Sequence, residues 1–216
     1  MSAPALVFIT GASSGIGQAL ALRFHRAGYR LALVARRVHE IETWAAAQQL
    51  PADSYSIYSA DVSDTASIVA AAQDCLVRQG LQDVVIANAG ISVGVDTAVR
   101  ADLDVIQRTF ATNNIGMAAT FHPFIDAMAA RGSGTLVGIG SVAGIRGLPG
   151  HGAYCASKAA VISYCESLRG ELRPLGVRVV TVCPGYVDTP LTQRNRYSMP
   201  FLMQPEDFAE QAYRTI

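Results

Sequence analysis

Short apolar runs alternate from end to end with longer segments of helical periodicity, and this alternation leaves the chain few architectures. The runs at Ala5–Thr10, Arg30–Val34, Ser54–Ala60, Asp83–Ala87, Thr135–Ile139 and Val177–Cys183 are nearly continuous in apolar character. Strands of that kind are covered on both faces, as in a parallel sheet. Between them, segments such as Gly17–Ala27, His39–Leu50 and Ala66–Gln79 keep polar residues to one side, and Gly28, Gly80 and Gly132 stand where helices should stop. Regular βαβ order predicts one doubly wound α/β fold, a single parallel sheet with helices on both faces, spanning residues 1–216. Pro205-Glu206-Asp207 reads as a further helix start, with proline in the first turn and acids at the positive end. The sequence stops nine residues after Asp207 with no strand beyond it. Either this helix closes the fold, or a C-terminal tail and a last strand are missing from the chain.

Composition removes several function classes. Half of the 216 residues are hydrophobic, enough for a substantial core. Seventeen basic residues balance seventeen acidic ones, so the basic excess of a nucleic-acid or anionic-membrane binder is absent. Sixteen of the seventeen cations are arginine, and Lys158 is the only lysine. A high-arginine genome accounts for the missing lysines, but not for the one that was kept. Cys75, Cys155, Cys165 and Cys183 lack C-x-x-C spacing and read as reduced thiols. His25, His39, His122 and His151 are scattered, so no metal site is expected. The N-terminus lacks the cationic start of a signal peptide, and no run of about 18 apolar residues could span a membrane. A soluble cytoplasmic protein is expected.

Directly after the first strand, Thr10-Gly11-Ala12-Ser13-Ser14-Gly15-Ile16-Gly17 opens into a helix. Glycines there let the backbone approach a pyrophosphate, whose charge meets the helix N-terminus. The spacing is G-x-x-x-G-x-G, which resembles the short-chain dehydrogenase/reductase family, a Rossmann-type fold with the pattern T-G-x-x-x-G-x-G. Three further features agree with that resemblance. Asp61-Val62 follows the third strand like the family's adenine-contacting acid, and Asn88-Ala89-Gly90 follows the fourth like its N-A-G motif. Pro184-Gly185 follows the sixth, with Val187 close by and Thr189 placed like the residue that holds the nicotinamide carboxamide. The resemblance therefore implies cofactor contacts at Gly11, Ser13, Ser14, Gly15, Ile16, Gly17, Asp61, Val62, Asn88, Ala89, Gly90, Pro184, Gly185, Val187 and Thr189.

The choice between nicotinamide cofactors falls at the end of the second strand. An NAD enzyme places an acid there for the ribose 2′-hydroxyl. Here Ala35 is followed by Arg36 and Arg37, so nothing repels a 2′-phosphate and a guanidinium can grip one. NADP(H) is expected, with Arg36 as the main contact; NAD(H), with both arginines as solvated surface charges, is the alternative.

Lys158 lies four residues after Tyr154, within a long helical pattern ending near Pro174. Residues i and i+4 share a helical face. An ordinary tyrosine pKa near 10 is too high for acid–base work at neutral pH, and a neighbouring ammonium lowers it. Ser141, thirteen residues before Tyr154, completes the family's Ser and Tyr-x-x-x-Lys pattern, in which the serine orients a substrate carbonyl. The family's fourth residue is the asparagine of N-x-x-G. In Asn113-Asn114-Ile115-Gly116 the spacing to Gly116 selects Asn113. By resemblance, Asn113 holds a water leading from the lysine towards solvent, and Tyr154 and Lys158 also touch the cofactor.

The reading that emerges is an NADP(H)-dependent oxidoreductase interconverting a carbonyl and a secondary alcohol, with Tyr154 as general acid/base. A non-catalytic dinucleotide-binding or regulatory protein on the same fold is the alternative from another class, and an NAD-linked dehydrogenase the alternative within it. Pocket walls are expected from Ile91–Asp96, Ile145–His151 and Leu191–Met203, within a substrate-loop segment of about 188–205. Apolar residues there suit a lipid, sterol or aromatic ketone, or simply pack a lid. His151 is read as either a substrate contact or a surface or capping histidine. The resemblance also implies a homodimer or homotetramer, with the tyrosine-bearing helix in an interface.

Overall fold

The computed structural model describes residues 4–194 and 198–216. Six strands, β1 (Leu6–Thr10), β2 (Arg30–Ala35), β3 (Tyr55–Ser59), β4 (Val84–Ala87), β5 (Gly134–Ile139) and β6 (Val177–Val182), form one sheet in the order β3-β2-β1-β4-β5-β6. Every pairing is parallel. Each strand matches its expected run to within one residue at either end. β1 and β4 are buried along their whole length, which is why their sequences read as continuous apolar runs.

The helices are α1 (Gly15–Arg26), α2 (Val38–Ala47), α3 (Thr65–Gln79), α4 (Asp102–Phe110), α5 (Gly116–Arg131), α6 (Gly152–Leu172) and α7 (Pro205–Thr215). Along β1, Phe8 points into one core with α3, α5 and α6, where its ring meets Phe124 at 5.1 Å. Val7 and Ile9 point the other way, into a second core with α1 and α7. α7 is clasped to α1 by an Arg23–Glu210 ion pair, and the Arg23 guanidinium lies 3.6 Å from the centre of the Tyr213 ring. β3 and β6 are the sheet edges, and among the described residues no strand follows β6 into the sheet.

Gly28, Gly80 and Gly132 take φ of 87°, 92° and 70° where α1, α3 and α5 end. The expected second helix, His39–Leu50, is shorter than its periodicity suggested. α2 stops at Ala47, Gln49 takes φ 54°, and the Leu50 amide turns back to the Ala45 carbonyl at 3.0 Å. The apolar Leu50 is thus packed by a turn and not by a helical face.

Between α4 and α5 the backbone widens into one π-turn, Ala111–Ile115, so the two helices run on with an extra residue in the join. β1 and β4 are neighbours although two strands and three helices separate them in the chain. Strand order reverses there, and open parallel sheets bind ligands in the crevice at the carboxyl ends beside such a reversal. Among the described residues no helix is long and apolar enough to cross a membrane.

Candidate active site

A cleft of about 440 Å³ runs over the carboxyl ends of the strands, from Arg36, Arg37 and Asp61 at one end to Tyr154, Lys158 and Thr189 at the other. Sixteen of the expected cofactor residues line it: Gly11, Ser13, Ser14, Gly15, Ile16, Arg36, Arg37, Asp61, Val62, Asn88, Ala89, Gly90, Tyr154, Lys158, Pro184 and Thr189. Gly17, Gly185 and Val187 are not on its wall. Gly17 lies behind the turn, where a Cβ would come within 2.2 Å of the Gly11 carbonyl oxygen. There it lets α1 pack closely on the first turn. Val187 is buried, and it pairs with Met203. Val34, Ala60, Thr112, Ile139, Gly140 and Pro190 line the cleft without having been singled out. The carboxyl-end rule alone would have flagged Val34, Ala60 and Ile139.

The glycine turn is braced from β4. Asn88 Nδ2 donates to the carbonyls of Thr10 (2.9 Å) and Gly11 (3.3 Å), while Thr10 Oγ1 accepts from the amides of Asn88 (3.1 Å) and Ala89 (3.2 Å). Asn88 therefore fixes the shape of the turn that presents the α1 N-terminus. That N-terminus has no acidic residue in its first turn, so its positive end is free to meet an anion. Thr189 reaches across from the β6 side. A Cβ on Gly15 would lie 3.0 Å from its Cγ2, and its hydroxyl shares a hydrogen bond of 3.2 Å with Thr192 Oγ1.

At the other end, Arg36 Nη1 lies 3.4 Å from Asp61 Oδ2, and Arg37 donates to Ser13 Oγ at 3.1 Å while pairing with Glu40 at 3.2 Å. Burial works to raise the Asp61 pKa, but hydrogen bonds from Ser63 and the Arg36 guanidinium outweigh it and hold the carboxylate below its ordinary range. Two guanidinium groups thus face a cleft edge whose one lining acid is already engaged by the first of them.

Ser141 follows β5 and is buried, and its Oγ accepts from the Ala143 amide at 3.1 Å. Tyr154 and Lys158 project from α6 into the cleft. Here the electrostatics differ from the sequence expectation. Lys158 Nζ donates to the Ile139 carbonyl at 2.7 Å and sits 5.8 Å from the centre of the Tyr154 ring. Burial lowers the lysine pKa to about 8. Burial raises the Tyr154 phenol above its ordinary value, and a hydrogen bond with Ser141 only partly opposes this. The ammonium does not lower the phenol in this arrangement, because a carbonyl on the neighbouring strand holds it and the surrounding protein desolvates both groups.

Asn113 is in the π-turn and is buried. Its Oδ1 accepts from the Ile91 amide (2.8 Å), and its Nδ2 donates to the Ile91 carbonyl (3.0 Å) and to Ser157 Oγ (2.9 Å). Asn114 instead donates to the Ser157 carbonyl at 2.9 Å, and its own Oδ1 is buried without a partner. A Cβ on Gly90 would lie 3.3 Å from Asn113 Oδ1 and 3.5 Å from Lys158 Nζ, so Gly90 is the floor between the two groups. Any relay role for Asn113 is thus confined to its main chain and the second lone pair of Oδ1.

Of the three segments expected to wall the pocket, Ile91 and Leu191 line the cleft and no residue of Ile145–His151 does. The Val95 amide donates to the Gly150 carbonyl at 2.8 Å, joining Ile91–Asp96 to Ile145–His151. Of the third segment, Leu191 lines the cleft and Leu202 and Phe201 are exposed, while its residues 195–197 lie outside the described residues. His151 immediately precedes α6, and its carbonyl accepts from the Cys155 amide at 2.9 Å. The four cysteines are all free thiols.

Comparison with known proteins agrees with this geometry. The family model described as short chain dehydrogenase matches residues 5–199. An uncharacterised oxidoreductase of Myxococcus xanthus (strain DK1622) is 38% identical over 202 residues, covering 94% of this chain and 79% of that protein. A dehydrogenase/reductase SDR family protein 7-like of Anopheles gambiae is 38% identical over 192 residues, covering 87% of this chain but 60% of that longer protein. Among solved structures, a 3-ketoacyl-(acyl-carrier-protein) reductase of Brucella melitensis complexed with NADH shares 28% identity at a TM-score of 0.87, covering 97% of this chain and 89% of that one. An alcohol dehydrogenase of Thermococcus sibiricus complexed with 5-hydroxy-NADP shares 29% at 0.86, covering 98% and 89%. The continuous match along the sheet, the glycine turn and α6 makes this chain an oxidoreductase of the short-chain dehydrogenase/reductase family.

Proposed function

We propose that the chain is an NADP(H)-dependent carbonyl reductase or alcohol dehydrogenase. The observation that carries this reading is the single cleft shared by Tyr154 and Lys158 at one end and by Arg36 and Arg37 at the other. The dinucleotide fits the residues present. The open α1 N-terminus and the glycine turn suit a pyrophosphate, and the two arginines suit a 2′-phosphate. Thr189, across the turn, suits the nicotinamide end. When bound, the nicotinamide supplies or accepts the hydride.

The remaining chemistry belongs to this chain. Ser141 holds the substrate oxygen beside the Tyr154 hydroxyl. Tyr154 Oη gives its proton to that oxygen during reduction and takes it back during oxidation. A phenol kept above its ordinary pKa stays protonated at neutral pH, as a general acid for reduction must. Lys158, four residues further along the same helix, holds the nicotinamide ribose by donating hydrogen bonds from its ammonium. Leu191, exposed on the cleft wall, favours an apolar body on the substrate. The exposed Tyr164 on α6 and Leu103 on α4 offer a surface for self-association into a dimer or tetramer.

NADPH oxidation against a panel of ketones, aldehydes and acyl thioesters tests the reading. Tyr154→Phe is expected to retain NADPH binding while turnover falls by about 10²–10⁴-fold. Unchanged turnover in that variant would overturn the mechanism, and no turnover by the unmodified protein would favour the non-catalytic alternative.

A further inference from the structure

Ser157 lies between Tyr154 and Lys158 on α6, yet it is fully buried and stands off the cleft wall. Its hydroxyl has one proton, and that proton goes to the Tyr154 carbonyl at 2.7 Å. Its lone pair takes an N–H of Asn113 at 2.9 Å, and its own carbonyl takes an N–H of Asn114 at 2.9 Å. Both asparagines of the π-turn therefore end on one residue of the tyrosine-bearing helix.

Proton counting shows what this achieves. Asn113 Nδ2 has two hydrogens, one on Ile91 and one on Ser157, and Oδ1 takes the Ile91 amide. A flipped amide would set donor against donor at Ile91 and lone pair against lone pair at Ser157, whose proton is already committed. The carbonyl end borders the space that a Gly90 side chain would fill, and the Lys158 ammonium borders the same space. Resting on the reading of Asn113 and Lys158 as members of the active site, we infer that Ser157 is a positioning residue. It ties the π-turn to α6 so that the Asn113 carbonyl stays turned towards Lys158.

Without the Ser157 hydroxyl, Asn113 keeps a buried N–H with no acceptor, and the amide has reason to leave Ile91. The other titratable groups facing Lys158 are Tyr154 and the Cys183 thiol, neither of which touches Ser157 through its side chain.

The single lysine gives a readout that needs no substrate. Protein carrying ¹³Cε-lysine yields one lysine resonance, whose pH titration in the cofactor-free state should have a midpoint of about 8. Asn113→Ala removes the facing carbonyl and should lower that midpoint, weakening proton affinity by roughly threefold. Ser157→Ala should lower it in the same direction, and the double variant no further than Asn113→Ala alone. Ser157→Thr, which retains the hydroxyl, should titrate like the unmodified protein. If thermal melting shows that Ser157→Ala does not fold, Ser157→Cys, similar in size but a poor acceptor, takes its place. For any carbonyl compound that the protein reduces, kcat should fall roughly tenfold in Ser157→Ala while KM for NADPH stays within about twofold.

A Ser157→Ala midpoint equal to that of the unmodified protein overturns the inference, as do shifts that add in the double variant. Absence of turnover in the unmodified protein would count against the oxidoreductase reading alone, since the titration does not depend on it.

Discussion

Replacing Arg36 by alanine removes one of the two guanidinium groups at the ribose end of the cleft and leaves the other, Arg37, tied to Ser13 and Glu40. At about 4 Å and an effective dielectric near 20, a unit charge pair is worth about 4 kcal/mol. The Arg36 side chain is 67% exposed, so solvent screens much of that. Asp61, 3.4 Å away, also competes for the same cation and must share it with an incoming phosphate. Together these reduce the net preference to about 2 kcal/mol, or roughly a 30-fold loss in NADPH affinity. NADH, which has no 2′-phosphate, should bind Arg36→Ala within about twofold of the unmodified protein. Fluorescence titration of both reduced cofactors at low and at physiological salt measures the difference. The NADPH advantage should shrink as ionic strength rises. Equal weakening of both cofactors, or no change for NADPH, would refute the assignment of Arg36 to the 2′-phosphate.

Other consequences can be measured without a substrate. Gly17→Ala forces a methyl to within 2.2 Å of a backbone oxygen, so either α1 or the glycine turn must shift; a loss of several kcal/mol in urea unfolding, with cofactor binding abolished, is expected. Lys158 should make stability rise with pH in an alkaline window. Its folded pKa of about 8 lies below its unfolded value, so above pH 8 the folded state binds fewer protons than the unfolded chain. The contribution should reach about 2 kcal/mol by pH 9.5. It should vanish in Lys158→Met, read as the pH dependence of the urea midpoint; the same rise in both proteins would show that Lys158 is not its source. Above pH 10 the raised Tyr154 pKa acts in the opposite sense, because the unfolded chain loses the phenolic proton first.

The four inner strands were readable because burial on both faces leaves a continuous apolar mark on the sequence; the edge strands β3 and β6 are only partly buried and were placed by the regular alternation with helices. α2 shows the limit of that signal. Leu50 keeps helical phase with the segment before it, and the left-handed residue that ends the helix is Gln49, which carries no glycine or proline warning. Motif spacing located the cleft-lining glycines, but Gly17 looks in sequence like its neighbours and differs only in facing Gly11 instead of the cleft. Tyr154 and Lys158 were found by their i, i+4 relation. Their relative charge was not, because the carbonyl that captures the ammonium belongs to Ile139, distant in the chain. Ser157 gave no signal at all. A serine among small helical residues is unremarkable until the asparagines of another helix are seen to end on it.

The π-turn makes chain length a sensitive variable in its part of the molecule, beside the identity of its two asparagines. Each helical residue advances the backbone by about 100°. Removing one residue from Ala111–Ile115 would let α4 and α5 fuse into a regular helix, at no local cost in hydrogen bonds. It would also turn α4 by about that angle about its own axis, relative to an α5 anchored in the core below the sheet. The face of α4 that now packs against α6 would then point elsewhere. Substitutions at the exposed Ile115 should be broadly accepted, whereas a single-codon deletion should be rejected wherever in the stretch it falls.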